Sequence, residues 1–245
     1  MQIEYHKFWS ESLGQDMELK LYGHAGKPMF VFPSSWNHFY EYEDRGMVAA
    51  CENFINAGKL MIVAVDSMDA QSWLNKWAHP ADRAIRHNQY DNYIVREVNH
   101  FIRNHRGVTG KFITTGCSLG AYHALNFLLR HPDVFDTTIA LSGAYTLDSL
   151  IGDYVDENVY YNSPMRYLPN LDNSWYLDQY RQSRIILCVG QGKWEDRMRQ
   201  DTAAMRDIFV RKNIPAQVEF WGEDVYHDWP WWQKQIYHFL SQLNL

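Results

Sequence analysis

The chain contains 245 residues, of which 46% are apolar and 21% are charged, a composition typical of a folded globular protein. These values exclude collagen-like, coiled-coil and disordered chains, and the length suits one α/β domain of up to ~250 residues. Acidic residues outnumber basic residues by 29 to 23, and the net charge of -6 argues against binding to nucleic acid or to an anionic membrane.

The cysteines and the N-terminal segment indicate the compartment. The three cysteines are odd in number and lack the spacing of a metal site, so we expect no disulfide framework. No basic segment followed by an apolar run opens the chain, and no window approaches the ~20 apolar residues of a membrane span. We therefore expect a cytoplasmic protein outside the membrane, and the sequence leaves open whether it forms a homo-oligomer.

Predicted strands and helices alternate along the chain. In order, we predict strands at 17–22, 29–32 and 61–65, a helix at 90–104, a strand at 112–115, a helix at 121–130, strands at 137–141 and 185–189, a helix at 196–212, a strand at 216–221 and a helix at 231–243. The inner strands are nearly continuous apolar runs, which is typical of strands buried on both faces. This pattern predicts an α/β fold with a doubly wound, mostly parallel sheet.

One segment interrupts this alternation. About forty residues, 144–183, separate two late strands, and they are rich in aromatic and polar residues. Connections in compact domains are commonly ~2–6 residues plus one helix, so this segment should be an insertion with some structure of its own. We predict a single domain over residues 1–245 that carries the insertion.

The strongest local motif is the G-x-S-x-G sequence Gly116-Cys-Ser-Leu-Gly120. It follows a predicted strand and precedes a predicted helix, the context in which a sharp turn raises the serine above the sheet. The helix N-terminus that follows favours developing negative charge. These features predict Ser118 as a nucleophile. The neighbouring Cys117 is expected to be a small buried hydrophobe, since two successive residues of a tight turn cannot both face a substrate.

A serine nucleophile needs a base in reach, and in this fold the chain order is serine, acid, histidine. Of eleven histidines, His227 lies in the loop after the last predicted strand and before the C-terminal helix, where it can face the sheet edge. His123, His131 and His238 fall on predicted helices, where they are expected to be surface or partly buried side chains. We therefore predict His227 as the base.

The acid is expected in the loop after the strand at 185–189. Glu195 and Asp196 both qualify by position, and Asp196 could instead cap the following helix through its side-chain oxygen. Asp148, after the preceding strand, is a distant third candidate. Asp228 lies next to the base and is not expected to fold back onto its ring.

An oxyanion hole requires two backbone N–H donors. One should be Leu119, the residue after the nucleophile. The other should come from the turn that follows the strand at 29–32, where Ser35 is the preferred donor.

Four sequence stretches together resemble the putative esterase family related to esterase D, of the α/β-hydrolase superfamily. They are Phe30-Val-Phe-Pro-Ser-Ser35, Val65-Asp-Ser67 with Ser72-Trp73, the serine motif, and His227-Asp-Trp-Pro-Trp-Trp232. The resemblance runs from about residue 17 to 240 and implies that Ser118 is the nucleophile, His227 the base, and Leu119 and Ser35 the oxyanion donors. Many relatives have an aspartate at the position of Lys193, so the resemblance leaves the acid open.

Together these features predict a serine carboxylesterase that hydrolyses a small-molecule ester through an acyl-enzyme and needs no metal or organic cofactor. Two alternatives remain open at this point. An acyltransferase would use the same triad with an alcohol in place of water. A non-catalytic module would keep the hydrolase fold and bind through the aromatic insertion.

Overall fold

The apolar runs of the sequence form the middle of one eight-stranded sheet in the computed structural model, which describes residues 1–245. The strands are β1 (Ile3–Ser10), β2 (Gln15–Tyr22), β3 (Lys27–Phe32), β4 (Leu60–Val65), β5 (Phe112–Cys117), β6 (Phe135–Leu141), β7 (Arg184–Val189) and β8 (Ala216–Phe220). Seven of them match predicted strands. The edge strand β1 lies outside the predicted strands, because its inward positions include the polar residues Glu4 and His6, whereas its apolar Ile3, Tyr5 and Trp9 are exposed.

The strand order is β1-β2-β4-β3-β5-β6-β7-β8. β1 pairs antiparallel with β2, and β2 pairs antiparallel with β4, whereas all pairs from β4 to β8 are parallel. The predicted, mostly parallel sheet is confirmed. Because the six parallel strands share one direction, the loops that follow them meet at one edge of the sheet.

Helices cover both faces of the sheet. They are α1 (Glu41–Asp44), α2 (Met47–Ala50), α3 (Glu52–Asn56), α4 (Pro80–Asn92), α5 (Asn99–Arg106), α6 (Leu119–Arg130), α7 (Asp148–Ile151), α8 (Glu157–Tyr161), α9 (Pro164–Tyr167), α10 (Ser174–Gln182), α11 (Asp196–Arg211) and α12 (Trp229–Ser241). A π-helical segment, Tyr93–Val98, joins α4 to α5, and 3-10 turns occupy Asp69–Gln71 and Leu168–Asn170.

The helix predicted at 90–104 starts ten residues earlier than expected. His79 caps it by accepting a hydrogen bond from the Ala81 amide, and Pro80 occupies the first turn, where its missing N–H has no cost. The buried face of α4 carries Arg83, His87 and Asp91. Because these buried positions are polar, this part of the helix lacks the apolar periodicity that predicts a helix from sequence.

Alternate residues of the inner strands point into two separate cores. In β3, Phe30 and Phe32 join the larger cluster with α6, whereas Met29 and Val31 join a second cluster with α12. This alternation is the direct consequence of the strand period of two. It confirms that the sheet is doubly wound and buried on both faces.

The segment between β6 and β7 contains α7 to α10 and one of the 3-10 turns. A cavity of about 820 Å³ lies against it, lined also by Leu129, Arg130 and His131 from the C-terminal end of α6. None of the helices combines the length and the apolar composition that a membrane-spanning helix needs.

Candidate active site

Ser118 occupies a strained turn between β5 and α6. Its backbone has φ 57° and ψ -119°, which costs of the order of 1–3 kcal/mol for a residue other than glycine. The turn is held by the Ser118 amide, which donates to the Leu141 carbonyl at 2.9 Å. A Cβ on Gly116 would lie 2.4 Å from the Gly120 carbonyl, so the motif glycine is required for strand and helix to approach.

We call the strained turn at Ser118 the elbow, and Gly120 brings a second turn, residues 33–35, against it. A Cβ there would lie 2.2 Å from the Phe32 carbonyl oxygen, so only glycine allows α6 to touch the end of β3. The residues that follow β3 are Pro33, Ser34 and Ser35. The contact therefore holds the predicted oxyanion turn beside the start of α6, where Leu119 is the first helical residue.

The Ser34 and Ser35 amides of this second turn differ in whether they donate a hydrogen bond within the chain. The Ser34 amide and hydroxyl both donate to the Glu41 carboxylate, at 2.8 and 2.6 Å. The Ser35 amide donates no hydrogen bond within the chain. The Leu119 amide, as the first of α6, has no acceptor within its helix. Two free N–H groups thus lie on the turns that flank Ser118.

His227 lies in the loop between β8 and α12. Its Nδ1 lies 3.2 Å from Oε2 of Glu195, and its amide donates to the Lys193 carbonyl at 3.2 Å. The Trp232 ring meets the imidazole edge-on, with 4.8 Å between ring centroids. Neither Nε2 of His227 nor the Ser118 hydroxyl makes a hydrogen bond within the chain. Asp228 is used elsewhere, because its side chain accepts from the Trp229 amide and caps α12.

The three candidate carboxylates occupy different environments. Glu195 is 1% exposed and contacts His227. The Asp196 side chain is 80% exposed and pairs with Arg199 on the surface of α11. Asp148 pairs with Arg166, also on the surface. The alternative role of Asp196 as a helix cap is wrong, since α11 begins at Asp196 itself and Glu195 is the capping position, without a side-chain cap.

Two residues that the sequence did not single out as site residues hold Glu195. The Ser142 hydroxyl donates to Oε1 of Glu195 at 2.6 Å, and Nε1 of Trp232 donates to the Ser142 oxygen at 2.9 Å. Ser142 directly follows Leu141, and the Leu141 carbonyl accepts the hydrogen bond from the Ser118 amide. A continuous path of hydrogen bonds and one peptide link therefore runs from the elbow through Ser142 and Glu195 to the imidazole.

The sequence carries no signal for Ser142, because a serine after a strand is common and its partner is 53 positions away. Trp232 did carry a signal, as part of the C-terminal stretch that resembles the esterase family. Its indole N–H explains why a tryptophan stands there, since it is the donor that orients the Ser142 oxygen.

Burial shapes the titration of the groups around the elbow. It raises the pKa of the Cys117 thiol well above its usual value, and the Glu41 and Glu195 charges raise it further. The thiol is 3% exposed and stays protonated at neutral pH, which confirms its prediction as a buried hydrophobe. Burial also raises the pKa of Glu41, although the hydroxyl and amide of Ser34 oppose that shift.

A second histidine lies behind the elbow. His123, expected to be a surface or partly buried residue, is 2% exposed and bonds Asp69 at 2.9 Å. It points inward because α6 packs on the sheet with almost every residue buried. The pair ties the elbow helix to the turn that follows β4, so we assign it a structural position. Asp66, in that same turn, accepts from the amides of Ser67 and Phe39 and anchors the loop.

A family model described as Putative esterase matches residues 10–243 of this chain. The chain belongs to the putative esterase family. The resemblance seen in the sequence is therefore confirmed over nearly the whole length. No curated protein matches the chain significantly.

Several solved structures resemble this member of the putative esterase family in fold, although their sequence identity to it is low. A ferulic acid esterase is 17% identical with a TM-score of 0.78, and 98% of this chain aligns with 97% of that one. An S-formylglutathione hydrolase from Agrobacterium tumefaciens is 12% identical with a TM-score of 0.75, covering 98% and 93%. FphF, a fluorophosphonate-binding serine hydrolase of Staphylococcus aureus, is 18% identical with a TM-score of 0.69, covering 98% and 97%. The fold is that of the α/β hydrolases, and this family member is a carboxylic ester hydrolase.

Proposed function

We propose that this chain is a serine carboxylesterase that forms an acyl-enzyme on Ser118. His227 is the general base, Glu195 orients it, and the amides of Ser35 and Leu119 bind the oxyanion. The observation that carries the proposal is the chain of hydrogen bonds from Trp232 through Ser142 and Glu195 to Nδ1 of His227. A buried carboxylate held from one side and bonded to an imidazole on the other is the orienting element of such triads.

The reaction follows from these positions. The Ser118 oxygen attacks the ester carbonyl carbon while Nε2 of His227 takes the hydroxyl proton. The carbonyl oxygen gains the negative charge and is stabilised by the N–H groups of Ser35 and Leu119. When the intermediate collapses, the C–O bond to the leaving group breaks and His227 returns its proton to the alcohol. Water, deprotonated by the same nitrogen, then releases the acid and restores Ser118.

The buried Glu195 fixes the tautomer of His227 that these reaction steps require. Nδ1–H donates to the carboxylate, which leaves Nε2 unprotonated and able to accept. The proposal requires Nε2 to come within ~2.6–3.2 Å of the Ser118 oxygen. Catalytic hydrogen bonds of free enzymes are often long and tighten only when substrate binds.

The substrate class that we propose is a small ester. The relatives of similar structure are named for ferulic acid esters and for S-formylglutathione, an ester and a thioester of small acids. Ser118 is half-buried at the end of β5, where the loops that follow the parallel strands meet, and the cavity of about 820 Å³ is lined by other residues. A half-buried serine outside that cavity suits a small acyl group, or an acyl group at the end of a larger molecule.

Hydrolysis of p-nitrophenyl acetate tests the proposal. We expect release of p-nitrophenol by the wild type and its loss in Ser118→Ala, with circular dichroism showing that the variant is folded. Ser174→Ala, an exposed serine at the start of α10, should keep full activity. Equal activity in Ser118→Ala would contradict the proposal. Product analysis with added alcohol separates the acyltransferase alternative, since a transferase forms a new ester in place of the free acid.

A further inference from the structure

Three side chains that can bind a metal meet at the junction of β1 and α5. Glu4 and His6 are two positions apart on β1 and so lie on the same face of the strand, and His105 lies in the last turn of α5. Nε2 of His6 lies 3.1 Å from Oε2 of Glu4, and Nε2 of His105 lies 2.8 Å from the same oxygen. All three ligand atoms lie within 4.8 Å of one another.

The two oxygens of Glu4 have separate partners. Oε1 accepts from Nε2 of Gln2 at 2.6 Å and from the Arg106 guanidinium at 2.8 Å. Oε2 faces both imidazoles and no other donor. A carboxylate held in this way presents one oxygen to the imidazoles, and its other oxygen receives the outer hydrogen bonds that commonly orient a metal ligand.

The spacing of these atoms suits a small divalent ion. Zinc binds imidazole nitrogen and carboxylate oxygen at ~2.0–2.2 Å, so neighbouring ligand atoms of a tetrahedral site lie about 3.3 Å apart. The observed separations need only small movements of the long Glu4 and exposed His105 side chains. The three side chains are 22–36% exposed, which leaves the fourth position to water.

We propose that Glu4, His6 and His105 form a Zn²⁺ site that fastens the edge strand β1 to helix α5. The strand pairs on one side only, with β2, so a link to α5 adds a restraint to a free edge. Phe101 already packs between these elements, with its ring 4.9 Å from that of His6 and 5.6 Å from that of Phe8. The site is structural, because three strands, β2, β4 and β3, separate β1 from the elbow strand β5.

The guanidinium of Arg106 is the one positive charge in contact with the cluster. It stays on Oε1, so it need not leave when the ion binds Oε2. Its charge lowers the affinity for a cation at Oε2, whereas its hydrogen bond to Oε1 holds the carboxylate in place.

Zinc titration of the metal-free full-length protein tests the site. We expect one equivalent to bind and the melting temperature to rise by about 5–10 °C when free zinc exceeds the dissociation constant ~100-fold. His105→Ala and His6→Ala should abolish this rise, and His105 is exposed, so its removal leaves folding intact. His100→Ala is the matched control, because His100 lies on the same helix and bonds only Asn104.

A spectroscopic measurement identifies the ligands independently of stability. Co²⁺ in place of zinc should give the intense visible absorption of four-coordinate cobalt in the wild type and in His100→Ala, and lose it in Glu4→Gln. The proposal is overturned if zinc produces no melting shift, or if the shift and the cobalt bands persist in both His105→Ala and His6→Ala. Persistence would place the bound metal at other histidines.

Discussion

Replacement of Glu195 by glutamine tests whether Glu195 or Asp196, both of which the sequence allows, is the acid that orients the base. The change keeps the size of the side chain and removes its charge. Ser142 can still donate to the amide oxygen, which leaves the NH₂ group facing Nδ1 of His227. That contact is favourable only for the tautomer with the proton on Nε2, which cannot accept the proton of Ser118. Flipping the amide instead leaves the Ser142 hydroxyl without its acceptor, at a cost of ~1–3 kcal/mol.

The expected loss of activity is therefore that of a catalytic triad in which the histidine, His227, is held in the wrong tautomer. We expect kcat for p-nitrophenyl acetate to fall by about 10³–10⁴-fold, equivalent to ~4–5.5 kcal/mol of transition-state stabilisation. KM should change little, because Glu195 is buried behind the imidazole and does not face the substrate.

Asp196→Asn is the matched control for this measurement. Its side chain is 80% exposed and pairs only with Arg199, so we expect kcat within about twofold of the wild type, since exposed ion pairs contribute little. Steady-state kinetics on both purified variants, with circular dichroism as a check on folding, complete the comparison. Full activity in Glu195→Gln together with a large loss in Asp196→Asn would refute the assignment of the acid.

Three further predictions concern the supports of the site. Ser142→Ala leaves Nε1 of Trp232 and Oε1 of Glu195 unpaired, so kcat should fall ~10–100-fold and the free energy of unfolding by ~1–3 kcal/mol, as measured by urea denaturation; an unchanged kcat would exclude a role for Ser142. Gly120→Ala puts a Cβ 2.2 Å from the Phe32 carbonyl and should cost at least ~1–3 kcal/mol of stability, whereas Gly110→Ala, with no atom within 4 Å, should cost nothing measurable. Burial raises the folded-state pKa of Glu41 above its ordinary 4.5, so the folded protein binds this proton more tightly than the unfolded chain. The stability of the wild type relative to Glu41→Gln should therefore fall as pH rises from 4.5 through the raised pKa, and a constant or rising difference in urea denaturation across that range would contradict this sign.

The parallel core of the fold could be predicted because its strands are long apolar runs. The strand predicted at 61–65 differs from β4 by one residue, since both faces of that strand are buried. β1 escaped detection because its inward positions include Glu4 and His6, which alternate as a strand does but carry no apolar signal. The prediction of one domain with an insertion stays a prediction.

The site was predictable to the extent that each part lies in a local motif. Ser118 and its glycines are contiguous, and the structure shows why the glycines are needed. The choice between Glu195 and Asp196 depends on which of two successive side chains turns inward at the start of α11, and no sequence period reports that. Ser142 acts through partners 53 and 90 positions away, a distance that only the sheet closes.

The most direct test of the proposed mechanism is where a fluorophosphonate attaches to the native protein. Such a reagent phosphonylates a serine that an imidazole activates, and peptide mass spectrometry locates the adduct. We predict a single adduct on Ser118 that is absent from His227→Ala and slow to form in Glu195→Gln. An unlabelled protein, or an adduct on another serine with Ser118 unmodified, would contradict the account.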